Sequence, residues 1–180
     1  MSGELYYKEY VRGNDNAFES VVRIYYDGLV AFINRYTKSL TDAEDVANDC
    51  FLYIAIHKNR YDSRKTSLKT YLYTIGRSKA LNFIKKRERK KTYNLDDYQD
   101  LPSQIESADD RVEKIERNQI LYDAIALLPD EMQTVIYLFY FESMSYEEIA
   151  KITSKKIKQI DNILYRAKKQ LKGILKKEDK

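Results

Sequence analysis

The chain has 180 residues, enough for one core of moderate size or two small ones. Its net charge of +4 is unevenly spread: Gly76 to Lys91 carries eight Lys/Arg against one Glu, Asn94 to Glu116 eight Asp/Glu against two Lys/Arg, and Lys151 to Lys180 eleven Lys/Arg against three Asp/Glu. One cysteine excludes an intramolecular disulfide framework, and neither a signal-like leader nor an apolar run of bilayer length is seen, so a cytoplasmic, nearly all-helical protein is expected.

Asp15 or Asn14 can cap a first long helix, in which Phe18, Val21, Val22, Tyr25, Leu29, Phe32, Ile33 and Tyr36 follow helical spacing. Thr41-Asp-Ala-Glu44 reads as a capping box opening a second helix, with Ala43, Val46, Ala47, Cys50, Phe51 and Ile54 on its apolar side. Cys50 there reads as inert core. His57 has no Cys or second His to share a metal with and reads as a surface residue. Lys58 to Thr66 is a polar, basic loop, and a third helix is expected from near Ser67 to about Lys90. Residues 91–108 contain Pro102 and several acids without a sustained period, and read as a tether.

A new helical pattern starts at Asp109 and is stopped by Pro129. Asp130 to Phe141 is expected to form a helix burying Met132, Val135, Ile136 and Phe139. Ser145 and Glu148 make a capping box for a short helix with Tyr146, Ile149, Ala150 and Ile152 on its apolar side. After a polar break, Ile157, Ile160, Leu164, Ala167, Leu171 and Ile174 form the stripe of a last helix. Ser154 stands where such a turn usually has glycine, and Lys156 where a Ser or Thr cap is common. The expected fold is all-α, with two small helical domains, 1–90 and 109–180, joined by a flexible acidic linker over 91–108. The second domain ends in a helix-turn-helix.

Two basic blocks flanking an acidic one suggest two contacts with a polyanion. The last helix carries Lys158, Gln159, Asp161, Asn162, Tyr165, Arg166, Lys168 and Lys169 away from its apolar stripe, and a helix fits the major groove. The competing explanation is a plain solvated Lys face. The third helix carries Tyr71, Tyr73, Arg77, Lys79, Lys85, Lys86 and Arg87, and the loop before it adds Lys58, Arg60, Tyr61, Arg64 and Lys65. Cations interleaved with aromatics suit a single strand, because rings stack on bases while cations track phosphates. Tyr71 is expected to pack with Leu68, Leu72 and Ile75, which leaves Tyr61 as the stacking candidate.

Asp42, Asp45 and Asp49 are three and four residues apart, joined by Asn48, on the side opposite the apolar stripe. A docking surface for a basic protein competes here with a solvated face and with a nuclease-like Mg²⁺ cluster. Metal sites of that kind draw ligands from several elements into a cleft, so a row on one helix suits docking better.

Asp42-Ala-Glu-Asp45-Val-Ala-Asn-Asp49-Cys-Phe51 resembles the core-binding helix of bacterial sigma factors. Tyr71-Leu-Tyr-Thr-Ile75-Gly-Arg77 with Lys85-Lys-Arg87 resembles their promoter-melting, −10-reading helix. Leu128-Pro129, Tyr140-Phe-Glu, Ser145-Tyr-Glu-Glu-Ile-Ala150 and Tyr165-Arg166-Ala167 resemble their −35-reading domain. The order and the two-domain length resemble the extracytoplasmic-function (ECF) type.

That resemblance implies a sigma factor that directs RNA polymerase core to promoters and helps to open the −10 region. It implies no enzyme activity and no cofactor or metal. Asp42, Asp45, Asn48 and Asp49 would dock on the β′ coiled coil of the core, with the β subunit a further partner. Arg60, Tyr61, Arg64, Lys65, Arg77, Ser78, Asn82, Lys85 and Lys86 would meet −10 DNA. Lys158, Asp161, Asn162, Tyr165, Arg166, Lys168 and Lys169 would meet −35 DNA. Ser78 stands where the family often has Asn, and Asp161 where Lys or Arg is common. An anti-sigma factor is left open as a partner, and a DNA-binding regulator acting without core polymerase is the rival function.

Overall fold

The structure, a computed structural model, describes residues 2–93 and 120–178. Their regular structure is helical and falls into two compact units. The first unit holds α1 (Gly3–Val11), α2 (Asn16–Thr37), α3 (Leu40–Ile56), a 3₁₀ turn (Lys58–Arg60) and α4 (Leu68–Tyr93). Helix α2 is its centre and packs against α1, α3 and α4. Val21, Leu29, Phe32 and Ile33 of α2 are fully buried, each stabilising the unit by about 1.5–3 kcal/mol. Gly76 lets α4 close on α2, since a Cβ there would come within 2.9 Å of Leu29 Cδ1.

Helix α1 is absent from the sequence-based expectation, which begins at Asp15 and counts three helices in this unit. Its inward face is built from tyrosines, whose mixed character weakens an apolar stripe. Tyr7 and Tyr10 bury their rings, and their hydroxyls donate to the Ile54 and Ala55 carbonyls of α3 at 2.8 and 3.2 Å. Each buried phenol thus keeps a hydrogen bond, as burial demands.

The caps also differ from expectation. Asp15 is the N-cap residue of α2 but its side chain caps nothing. Helix α3 starts at Leu40, with Ser39 Oγ accepting from Asp42 N at 3.4 Å, so Thr41 lies inside the helix rather than at its cap. The cause is Lys38, which ends α2 in the left-handed region (φ 56°) and turns the chain into an extended Ser39. Helix α4 begins as expected, Ser67 Oγ accepting from Thr70 N at 3.1 Å, and runs past Lys90 to Tyr93. The rest of the expected tether, 94–108, and the helix start at Asp109 lie outside the described residues.

The second unit holds α5 (helical over the described residues 120–126), α6 (Asp130–Ile136), a π-helical turn (Tyr137–Phe141), α7 (Tyr146–Thr153) and α8 (Ile157–Glu178). Gln133 Nε2 donates to the Ala126 and Leu128 carbonyls at 3.0 and 2.7 Å, closing the end of α5 beside Pro129. The helix expected over Asp130 to Phe141 widens in its last turn, where Glu142 N reaches the Tyr137 carbonyl five residues back at 3.1 Å. That winding keeps Tyr137 and Leu138 buried and lets Tyr137 Oη donate to Glu142 Oε1 at 2.8 Å.

The capping box at α7 is reciprocal: Ser145 N donates to Glu148 Oε2 at 3.0 Å, and Glu148 N to Ser145 Oγ at 3.3 Å. Ile149 and Ile152 of α7 are buried, as are Ile160, Ile163, Leu164 and Ala167 of α8. Ile157 is 47% exposed, so the stripe of α8 is corrected: Ile163 takes a core place and Ile157 does not.

Candidate nucleic-acid interface

Three exposed stripes share one geometry. At 100° per residue, spacings of four, three and four keep four side chains within about 60° of arc. On α3 the stripe is Asp45, Asp49, Leu52 and Ile56; on α4 it is Ser78, Asn82, Lys85 and Arg89; on α8 it is Lys158, Asn162, Tyr165 and Lys169. All twelve are exposed.

The α3 stripe is acidic at one end and apolar at the other. Asp45 and Asn48 are exposed, and Asp49 Oδ2 lies 3.7 Å from Lys79 Nζ of α4. Asp42 differs, because its Oδ2 is 3.2 Å from Arg87 Nη1 and the pair is half-buried between α3 and α4. The four candidate docking residues therefore split, Asp42 serving packing and the other three facing outward. The row does not converge on a point. Leu52 and Ile56 are 57% and 67% exposed, and sequence reading does not single them out. The signal is the run Cys50 to Ile56, which helical spacing divides into a buried and an open half.

On α4, Ser78, Asn82, Lys85 and Lys86 share the open face, while Arg77 is half-buried about a quarter turn away. Of the loop residues, Lys65 is exposed, but Arg60 and Arg64 are engaged within the chain. Arg60 Nη1 donates to Tyr53 Oη at 2.8 Å. Arg64 holds Asp62 in a two-pronged pair, with Nε and Nη2 each 3.0 Å from a carboxylate oxygen. The Arg64 side-chain hydrogen bonds draw the Asp62 carboxyl down to about 2.

Tyr61 is not the open stacking ring that its loop position suggests. It packs edge-on to Tyr7 at 5.6 Å and against Tyr71 at 5.5 Å, and its hydroxyl donates to Glu4 Oε1 at 3.1 Å. Burial, together with the Glu4 carboxylate, pushes its phenol above the ordinary range. Tyr71 is half-buried beside it, in line with the packing expected of it. His57 is also half-buried, stacking on Tyr53 at 4.3 Å with Nδ1 2.9 Å from the Tyr53 carbonyl oxygen.

In the helix-turn-helix, Ser154 adopts φ 57° and supplies the left-handed turn where glycine is usual. Lys156 stands at the cap position, and its N–H donates to Gln159 Oε1 at 2.8 Å, which replaces half of a capping box. Asp161 and Arg166 flank the stripe of Lys158, Asn162, Tyr165 and Lys169, and both are exposed. Lys168 leans back over Phe139 and Tyr140, 5.9 and 5.7 Å from their ring centres. The Tyr140 hydroxyl, hydrogen-bonded to its ammonium, raises Lys168 above its ordinary value. Among the described residues no helix is long and apolar enough to cross a membrane.

Residues 21–90 match Sigma-70 region 2 and residues 118–171 match Sigma-70, region 4. The chain is 27% identical to the ECF RNA polymerase sigma factor SigW of Bacillus subtilis, covering 94% of both chains. It is 30% identical to the RNA polymerase sigma factor SigV of the same organism, over 80% of this chain and 82% of that one. Among solved structures it is similar to CnrH in complex with the cytosolic domain of CnrY, with TM-score 0.65, 19% identity and 96% of both chains covered. It also resembles the sigma factor RpoE bound to the anti-sigma factor NepR from Bartonella quintana, with TM-score 0.65, 23% identity, and 88% and 96% covered.

Proposed function

The chain belongs to the ECF RNA polymerase sigma factors, and from that premise we propose that its α3 stripe docks on core polymerase while its α4 and α8 stripes hold the −10 and −35 elements. A sigma factor directs RNA polymerase in transcription initiation, so the surfaces must bind one protein and one polyanion. The separation of charge carries this reading. Asp45, Asn48 and Asp49 give an outward negative face on α3, and Lys85, Lys86, Lys158 and Lys169 give outward positive faces on α4 and α8.

Electrostatic complementarity favours a basic helical partner for α3, with Leu52 and Ile56 adding apolar contact at its far end. On α8, Asn162, Tyr165, Arg166 and Asp161 are spaced to meet base edges, and Lys158 and Lys169 to meet phosphates. Asp161 can accept from cytosine N4 at the position where a cation is common. Arg77, Ser78, Asn82, Lys85, Lys86 and Lys65 form the −10 contact, in which phosphate attraction offsets the few kcal/mol that unstacking a base costs. No catalytic step is assigned to the chain. CnrH is seen with the cytosolic domain of CnrY and RpoE with the anti-sigma factor NepR, and an anti-sigma factor covering the α3 stripe is the corresponding proposal here.

The test is transcription in vitro from a native promoter with purified core. A transcript that requires this chain supports the reading. Tight duplex binding by the chain without core association or transcript would replace it with a regulator that acts alone.

A further inference from the structure

Asp49 belongs to two surfaces at once. It stands in the exposed stripe of α3, and its Oδ2 lies 3.7 Å from Lys79 Nζ of α4. This pair is loose, with the Asp49 side chain 66% exposed and that of Lys79 32%. Asp42 and Arg87 make the contrast, at 3.2 Å and with side chains 30% and 32% exposed. Their pair is built into the packing of α3 on α4. The Asp49 carboxylate keeps most of its surface in water, where an ion pair is weak and a competing cation can break it.

Helix α3 holds Lys79 in a second way. Its Nζ is 5.8 Å from the centre of the Tyr53 ring, one turn beyond Asp49. On α4, Lys79 follows Ser78 and comes three residues before Asn82, both on the open face. Lys86 is seven residues further on, which places the two lysines about 20° apart on one shoulder of the helix. Lys86 is exposed and belongs to the −10 contact proposed above. Lys79 therefore borders that contact with its ammonium turned to α3. While the pair is closed, the two charges sum to zero, and a phosphate arriving beside them meets the carboxylate as well as the cation.

We propose that Lys79 is a further DNA contact of α4, masked by Asp49 in the free chain and released when a cation of core polymerase takes the Asp49 carboxylate. The inference rests on the docking and −10 readings above and adds a link between them. A basic group drawn to Asp49 gives the carboxylate a new partner and repels the Lys79 ammonium. Only the flexible four-carbon stem has to swing toward the strand, and neither helix shifts. The coupling is reciprocal: a strand that holds Lys79 leaves Asp49 open to the core.

The experiment uses the full chain in two arms, with circular dichroism melts to check that each variant folds. The first follows the anisotropy of a fluorescein-labelled deoxythymidine decamer over a range of salt. Asp49→Asn should steepen the slope of log K against log salt by about 0.7, the share of one phosphate contact to a single strand. The added steepness should vanish in the D49N/K79A double variant. Glu44→Gln removes the same charge from α3 and should leave the slope as in wild type. The second arm titrates purified core polymerase, immobilised on a biosensor, with no DNA present. Lys79→Ala should bind core about two- to fivefold more tightly, because the exposed pair no longer has to be broken. Lys69→Ala removes the same charge from α4 and should not tighten binding.

An unchanged slope in Asp49→Asn, or the same gain in D49N/K79A, shows that Lys79 meets no phosphate and overturns the proposal. Core binding that Lys79→Ala leaves unchanged overturns it too. K85A/K86A separates these outcomes from the parent reading. A flatter slope in that variant with no response to Asp49→Asn leaves the α4 surface standing and removes the link. No response to K85A/K86A removes both.

Discussion

Arg87 of α4 holds Asp42 of α3 at 3.2 Å in a half-buried pair, so one acid of the conspicuous aspartate row works inside the fold. Asp42→Ala should lower stability by about 1 kcal/mol, and Arg87→Ala by a similar amount, because each leaves its partner uncompensated. Asp45→Lys and Asp49→Lys should leave the melting temperature within a degree or two while core binding in a pull-down is lost. Loss of core binding with no change in melting for Asp42→Ala would contradict this division.

The α8 stripe predicts two kinds of variant. Asn162→Ala or Arg166→Ala should cost about 1–3 kcal/mol on the matching −35 sequence and little on a scrambled one. Lys169→Ala should weaken both equally and reduce the salt slope on duplex DNA by about 0.9. Lys168→Ala should show less of this effect, since its ammonium is held over Phe139 and Tyr140. Competition binding with the two duplexes at several salt concentrations separates the classes.

Much of this was legible in the sequence. The core side of α3, from Ala43 to Ile54, and the open faces of α4 and α8 follow from spacing alone. The reciprocal Ser145–Glu148 box follows from a four-residue pattern. What spacing cannot reveal is how a side chain is spent. Arg60, Arg64 and Tyr61 read as free loop groups, yet they meet Tyr53, Asp62 and Glu4. Helix α1 was hidden because its buried face is tyrosine, whose hydroxyls find acceptors only once α3 is in place. The shift of the α3 cap from Thr41 to Ser39 depends on the left-handed Lys38, a backbone state that residue type does not announce.

Ser154 holds a positive φ of 57° that costs a side-chain-bearing residue free energy. Ser154→Gly should therefore stabilise the second unit. The gain is about 0.5 kcal/mol once the greater freedom of glycine in the unfolded chain is deducted. Urea titration should show a higher midpoint at an unchanged slope, with −35 affinity unaltered. A lower midpoint would mean that Ser154 makes a compensating contact.

Burial raises both Cys50 and Tyr7 to about 12, from ordinary values of 9.0 and 10.0. Each group keeps its proton longer when folded than when unfolded. The stabilisation is complete below about pH 9 and is lost as pH rises toward 12. Melting temperature should therefore fall over that window, and the fall should be shallower in Cys50→Ala. In the same experiment Ellman's reagent should leave Cys50 unmodified at pH 8 and react fully in denaturant.

Glu4 joins three elements: from α1, its Oε1 accepts from Tyr61 Oη in the loop and from Leu68 N at the start of α4, both at 3.1 Å. It thus serves as a remote cap for the helix proposed to read the −10 element. Glu4→Gln retains one acceptor and should cost little. Glu4→Ala leaves the Leu68 N–H and the part-buried Tyr61 hydroxyl unanswered and should cost about 1–2 kcal/mol. The readout is local. Amide exchange should quicken across the 58–67 loop and the first turn of α4, while the second unit keeps its protection. Uniform acceleration through both units would show that Glu4 acts on global stability instead of holding this loop. Promoter opening by holoenzyme, followed with a permanganate footprint, should fall with Glu4→Ala and recover with Glu4→Gln, because the carboxylate acts through the position of the loop and touches no DNA.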